Sequence, residues 1–353
     1  MMFLVSGLIA ILLMLVLVIG LHEAAHAFAA RLFDVKIQRI SLGFGKPVML
    51  WRNKNGCEWV WATWPIGGYV QLLNTRIQKV DKKDYPQCFD KKPAWVRIVI
   101  LLAGAIANFL VAIIALILFY MIGHQQQPPI IAQVVPDSIA AQAGIVAQDR
   151  FIAINGQAVS SWQEAGTQLI IAFGQDNVQA EVADAQTSRK IILQLNGPLV
   201  KNSKNLIKAL GIAPIRGNEY VHGEPLFTSI KLAFNKSMQS LWFFVVIIKQ
   251  LVTGALPMSL LLGPIGLLTV SIESYSQGIS VFLYFIASLS LAVGLVNLFP
   301  LPVLDGGSIV LTIIEKIRGK PVSVAFEVLL YRLALILFCV FMVQLLLNDL
   351  LRL

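Results

Sequence analysis

The sequence predicts a polytopic α-helical membrane protein with four transmembrane helices, a membrane-associated β segment and one α+β domain outside the bilayer. Three observations carry this. The 353 residues are 57% hydrophobic and 13% charged, against about 25% charged residues in an ordinary soluble domain, and mean hydropathy is +0.74. Charge-free runs cover Met1–Leu21, Ile98–Gly123, Ser274–Leu304 and Leu333–Asn348. The first three exceed the roughly 18–20 residues of a membrane span, and the last reaches that length through its flanks. Charge is also asymmetric. Between Arg31 and Arg97 there are thirteen Lys/Arg against five Asp/Glu, whereas 123–240 carries nine against eight. Lys316, Arg318 and Lys320 add a second basic cluster. By the positive-inside rule, 31–97 and 306–325 face the cytoplasm and 123–240 lies on the other side. The basic excess follows the spans, so it reads as topology and contact with the lipid bilayer, with no nucleic-acid partner.

The first run lacks a basic leader and a processing site, so it is expected to stay as a span. It leads directly into His22-Glu23-Ala24-Ala25-His26. Histidines four apart share one helix face and can reach one metal ion, and the intervening glutamate can serve a hydrolytic water. Ionisable groups at membrane depth are functional candidates.

Val35–Leu42 and Trp59–Leu73 have strand character, with glycines as punctuation and Asn55-Gly56 as a turn. Residues 59–70 are too apolar for an ordinary cytoplasmic loop, so a small membrane-associated sheet is expected. Trp51, Trp59, Trp61 and Trp64 suit interfacial anchoring.

The outer region opens with the linker Gln125–Pro129. It continues with strands at Ile130–Val135, Asp149–Ile154 and Lys190–Leu195, a short helix at Ser138–Gly144, a turn at Asn155-Gly156 and helical spacing over Trp162–Phe173. His124 and His222 have no ligand-spaced neighbour and are expected to be solvated. None of the three cysteines falls in this region: Cys57 and Cys88 are cytoplasmic, and Cys339 is expected as a buried apolar residue in a span.

A fifth apolar stretch, Leu241–Val270, is interrupted by Lys249, Gly254, Pro257 and Gly263-Pro264. A single crossing there would put Glu315–Lys320 outside, against the charge rule. An interfacial or re-entrant segment is expected, with four spans and both termini on the outer face.

The third long run ends in Asn297-Leu298-Phe299-Pro300-Leu301-Pro302-Val303-Leu304-Asp305-Gly306-Gly307. Asp305 is the only carboxylate between Glu273 and Glu315. A catalytic zinc takes about three protein ligands and keeps one position open, and His22, His26 and Asp305 supply two nitrogens and an oxygen. The first and third spans both run inward, which sets these residues at comparable depth. On the residues alone, three readings remain: a zinc hydrolase, a metal-binding scaffold that retains other membrane proteins, and a metal transporter.

The pairing of His22-Glu23-x-x-His26 with Asn297-x-Phe299-Pro300-x-Pro302-x-x-Asp305-Gly306 resembles the site-2 protease family of intramembrane zinc metalloproteases, as do Gly67-Gly68-Tyr69-Val70 and Gly263-Pro264-Ile265. The outer region, from Ser138 through Asp149 to Asn155-Gly156, resembles a PDZ domain. The resemblance implies one catalytic Zn2+ on His22, His26 and Asp305, with Glu23 as general base. It implies that Asn297 contacts substrate or transition state, and that Gly67, Gly68, Tyr69 and Val70 belong to a β segment guiding substrate to the site. It further implies a single-span membrane protein as substrate, such as an anti-sigma factor already shortened by another protease, and a bacterial cell inner membrane location with both termini periplasmic. The expected division is 1–123 for the zinc-binding helix, β segment and second span, 124–226 for the PDZ-like domain and linkers, and 227–353 for the interfacial segment and the remaining spans. Two departures stand out. Relatives often carry two tandem PDZ domains where this chain has room for one, and Gln148 occupies a position usually held by glycine.

Overall fold

The structure, a computed structural model, describes residues 2–53, 56–184, 187–197, 200 and 206–352. Asn55 of the expected turn and the side chain of Trp64 lie outside the described residues.

The first helix begins as α1 (Met2–Met14), passes through a π-helical turn at Leu15–Gly20 and continues as α2 (Leu21–Leu32). The Leu21 N–H bonds the Val16 carbonyl, so the wider turn ends just before His22. Such turns recur near functional sites.

β1 (Ile37–Arg52) and β2 (Glu58–Leu72) are antiparallel and both fold back on themselves. Residues 37–42 pair with 68–72 on one side and 58–61 on the other, while 47–52 also pair with 58–62. The result is a curved sheet with ribbons in the order 47–52, 58–62, 37–42, 68–72. The bends fall at Gly43, Gly45 and Gly67, whose φ values of 93°, 97° and 103° an L side chain rarely adopts. Ribbon 68–72 is therefore an edge.

α3 (Ala94–Ile122) starts behind Pro93 and ends at Gly123. It packs antiparallel to α2, in a core shared with α1, the π turn and a later helix.

The β-containing domain holds β3 (His124–Gln126), β4 (Ile131–Val134), α4 (Ile139–Gln142), β5 (Arg150–Ile154), β6 (Gln157–Ala158), α5 (Trp162–Ile171), β7 (Val178–Ala183), β8 (Ser188–Leu193), α6 (Leu206–Leu210), β9 (Ile212–Pro214) and β10 (Glu219–Val221). Its main sheet has the order β6-β5-β7-β8, and β4 pairs with β9. Phe151, Leu169, Val178, Val182 and Leu193 are fully buried in its core. Ser138 and Ser161 cap α4 and α5 through their hydroxyls. Gln148 adopts φ 74°, the left-handed conformation that glycine takes most readily.

The membrane part resumes with α7 (Leu226–Val252), α8 (Pro264–Ser276), α9 (Ile279–Asn297), α10 (Asp305–Arg318) and α11 (Val324–Leu350). Among the described residues, four helices are long and apolar enough to cross a membrane: Val5–Leu32, Ala94–Ile122, Ile279–Asn297 and Val324–Leu350. The chain is a polytopic membrane protein with a β-containing domain.

The fifth apolar stretch begins earlier than expected and is two helices. α7 starts at Leu226 because its polar side has partners: Lys236 reaches Glu164 of α5 at 3.0 Å, and Gln250 Nε2 donates to the Ile170 and Ile171 carbonyls. α8 opens at Gly263-Pro264, where Asp349 of α11 accepts from the N–H groups of Gly263 (2.8 Å) and Gly266 (3.0 Å). Two smaller expectations also change. His124 is not a solvated residue: its ring stacks on Phe119 at 4.1 Å with Nδ1 buried, because β3 pairs with β10 directly above the end of α3. Cys339 is exposed on α11, a helix whose apolar side chains face outward along its length.

Candidate metal centre

α2 carries His22 and His26 on the face turned to α3, and both side chains are buried. His26 Nδ1 donates to the Ile100 carbonyl of α3 at 2.8 Å. That bond leaves Nε2 as the nitrogen free to bind a metal. The two Nε2 atoms lie 3.1 Å apart. Asp305 Oδ2 lies 3.3 Å from His22 Nε2 and 3.2 Å from His26 Nε2.

This triangle fits zinc. A tetrahedral ion with bonds of about 2.0–2.1 Å holds its ligand atoms about 3.3 Å apart. Two ring nitrogens and a carboxylate oxygen are also the donor set of a catalytic zinc site. The floor of the site is Gly104 of α3. A Cβ there would lie 2.6 Å from His22 Nε2 and closer still to His26 Nε2, so glycine keeps this space clear. Among the described residues, this is the group of histidine, cysteine and acidic side chains arranged to hold a metal.

Asp305 is delivered by the turn between α9 and α10. After Asn297 the chain folds tightly through residues 298–304. A Cβ at Gly306 would collide with the Leu298 carbonyl, and one at Gly307 with that of Leu301. Only the Gly-Gly pair lets α10 begin there, with Asp305 at its first position. Burial opposes ionisation of Asp305, but hydrogen bonds with His22 and His26 outweigh it and hold the carboxyl down to about 2. The carboxylate form is the one that ligates.

Glu23 is half-buried and points to the sheet edge. A Cβ on Gly68 would lie 3.4 Å from its Cγ. Ribbon 68–72 thus runs alongside Glu23. Gly67 makes the bend, Gly68 lies close to the Ser41 carbonyl, and Tyr69 pairs with Ser41 in the ladder. Asn297 ends α9, half-buried, and makes no side-chain hydrogen bond among the described residues. The structure therefore gathers His22, His26 and Asp305 and sets Glu23 beside Gly68 of the ribbon.

Several contributors carry no sequence motif. Ile100 acts through its carbonyl and Gly104 through its missing side chain. Near the start of α3, Glu315 of α10 accepts from Arg97 of α3 at 2.8 Å and from Arg76, which also pairs with Glu327 of α11. These pairs lock α3, α10 and α11 below the metal site. Burial opposes ionisation of Glu315, yet Arg97 and Arg76 hold its carboxyl below the ordinary value.

Comparison with known proteins agrees with this geometry. The family description "Peptidase family M50" matches residues 10–341. The chain is similar to the Regulator of sigma E protease of Haemophilus influenzae, at 27% identity over 95% of this chain and 96% of that protein. It is similar to Protease RseP of Yersinia pestis, at 29% identity over the whole of both chains. A protein of Brucella suis, named as a zinc metalloprotease, is 30% identical over 98% of this chain and 96% of its own length. The Yersinia alignment runs over 456 positions and the Brucella alignment over 372, so the former relative carries a long insertion that this chain of 353 residues lacks.

Proposed function

This chain belongs to peptidase family M50, and from that membership we propose that it cleaves the transmembrane segment of single-span membrane proteins. It is a site-2 protease-type zinc metalloprotease in a multi-pass bacterial membrane protein. The observation that carries the proposal is the triangle of His22 Nε2, His26 Nε2 and Asp305 Oδ2, with edges of 3.1–3.3 Å, built from the single helix α2 and the turn that opens α10.

In this reading His22, His26 and Asp305 hold one zinc ion. When bound, zinc polarises the scissile carbonyl and lowers the pKa of water towards neutrality. Glu23 takes the proton from the attacking water and returns it to the leaving amine nitrogen. A helical substrate shields its carbonyls with its own hydrogen bonds and must unwind locally. Ribbon 68–72 offers a strand edge beside Glu23, so Gly67, Gly68, Tyr69 and Val70 pair with the unwound stretch. Asn297 contacts the substrate backbone from the end of α9.

The outer domain is read as a single PDZ-like module within 124–226, between membrane parts 1–123 and 227–353. Its capped helices and four-stranded sheet support that reading. Both termini and this domain face the periplasm of the inner membrane, supported by the basic excess of 31–97. Relatives named as regulators of sigma E protease support a pre-cleaved anti-sigma factor as substrate.

The test is Glu23→Gln. Cleavage of a single-span reporter should fall by about 10²–10⁴-fold while zinc stays bound, and the variant should retain uncleaved membrane proteins on purification. Cleavage at the wild-type rate would overturn the proposal.

A further inference from the structure

Two buried polar groups near the metal site have no partner among the described residues: Nδ1 of His22, and both Nδ2 and Oδ1 of Asn108. Asn108 is fully buried in the middle of α3. It is the one amide in an otherwise apolar run from Ile98 to Gly123. Unpaired polar groups are expensive inside a bilayer.

The helix register brings the two together. His26 bonds to Ile100, and the next turn sets His22 against Gly104. Asn108 lies one further turn along α3, on the same face as Gly104. Side chains on a helix lean towards that helix's own N-terminus. Because α2 and α3 are antiparallel, His22 leans towards the level of Asn108 and Asn108 leans towards the level of Gly104. Asn108 also packs against α9: a Cβ on Gly294 would lie 3.1 Å from the Asn108 Cβ, and Ser290 Oγ donates to the Asn108 carbonyl at 3.0 Å.

A histidine that binds zinc through Nε2 carries its proton on Nδ1, and that proton almost always has an acceptor. His26 has the Ile100 carbonyl; His22 has none among the described residues. We propose that Asn108 is the positioning residue for His22: its Oδ1 accepts from one buried water, which in turn accepts from His22 Nδ1–H, and this fixes the tautomer and ring plane that present Nε2 to zinc. The proposal rests on the reading of His22, His26 and Asp305 as zinc ligands.

The test is zinc affinity of the full-length protein in detergent, measured by competition with a chromophoric chelator. Asn108→Leu removes the acceptor at similar volume, and affinity should fall by about 10–100-fold, the usual cost of a lost outer partner. Asn108→Ala should show the same loss if leucine crowds Gly294. Asn108→Asp keeps an acceptor oxygen and should retain affinity. In a His22→Ala background, Asn108→Leu should change nothing further. Wild-type affinity in both Asn108→Leu and Asn108→Ala, an equal loss in Asn108→Asp, or a further loss in the His22→Ala background would overturn the proposal. The reading beneath it fails separately: His22→Ala by itself would then bind zinc as the wild type does.

Discussion

The Nδ1 of His26 donates to the backbone carbonyl of Ile100 across 2.8 Å, which ties the helix bearing two metal ligands to the second span. The bond sets the depth and rotation of α2 against α3. It also brings Gly104 directly beneath the two Nε2 atoms.

Gly104→Ala is therefore a sharp probe. Within a helix, alanine is favoured over glycine by about 1 kcal/mol, so the substitution should not weaken α3 itself. The new methyl would occupy the space between the imidazoles. Zinc affinity should fall at least as far as for a lost outer partner, about 10–100-fold, and the zinc-free protein should lose about 1–3 kcal/mol of stability, the cost of overpacking a filled site. Unchanged zinc affinity would show that the donors do not converge over Gly104.

The turn that delivers Asp305 makes a second prediction. At Gly306 and Gly307 a Cβ meets backbone carbonyls, which cannot swing aside as side chains can. Gly306→Ala should cost about 1–3 kcal/mol and move Asp305 out of reach. The expected result is a lower melting temperature together with weaker zinc binding. A variant with full zinc affinity would mean that the turn relaxes without displacing its aspartate.

The parts legible in the sequence are those that obey a local rule. A bilayer demands uninterrupted apolar length, so the four spans stand out as charge-free runs. His22 and His26 stand out because helical spacing fixes their relation, and Asp305 because no other carboxylate is near it. Strand β7 escapes notice since Gln179, Ala180 and Glu181 carry little strand preference, although Val178 and Val182 are fully buried. The first half of α7 reads as polar because Lys231, Asn235 and Lys236 interrupt it, and the partner of Lys236 is Glu164 across the domain junction. Gly104, Ile100 and Glu315 act through groups distant in sequence, so no window contains both partners.

The pair Lys236–Glu164, at 3.0 Å with side chains 15% and 29% exposed, joins the β-containing domain to α7. Lys236 also sits over the Tyr284 ring at 5.9 Å. Burial opposes ionisation of Glu164, but Lys236 and the hydrogen bonds from Ser160 outweigh it, so its carboxyl is held below the ordinary 4.5. A depressed carboxyl contributes stability that is complete above the unfolded value and is lost as pH falls through the folded one. Hydrogen exchange in α5 and α7 should therefore be pH-independent in protection above about pH 4.5 and rise below it. Lys236→Met should raise exchange there at neutral pH, by an amount worth about 1–2 kcal/mol for a partly exposed pair. Equal exchange in wild type and variant at both pH values would remove the pair from any role in docking the domain.

The last prediction concerns the sheet edge beside Glu23. Along an edge strand, alternate N–H groups point into the sheet and away from it. The Leu73 N–H donates inward to the Lys36 carbonyl, so the Val70 amide, three residues back on the same strand, points away. Val70→Pro deletes that donor while leaving the ladder to residues 37–42 intact, and proline is tolerated on edge strands. Tyr69→Pro, one residue away, should instead disrupt the ladder with 37–42. The expected outcome for Val70→Pro is normal zinc content, a near-normal melting temperature and cleavage slowed by about tenfold, the scale of losing one backbone hydrogen bond to the substrate strand. Cleavage at the wild-type rate with zinc intact would mean that the ribbon does not receive substrate, and the edge would then be only the rim of a membrane-embedded sheet.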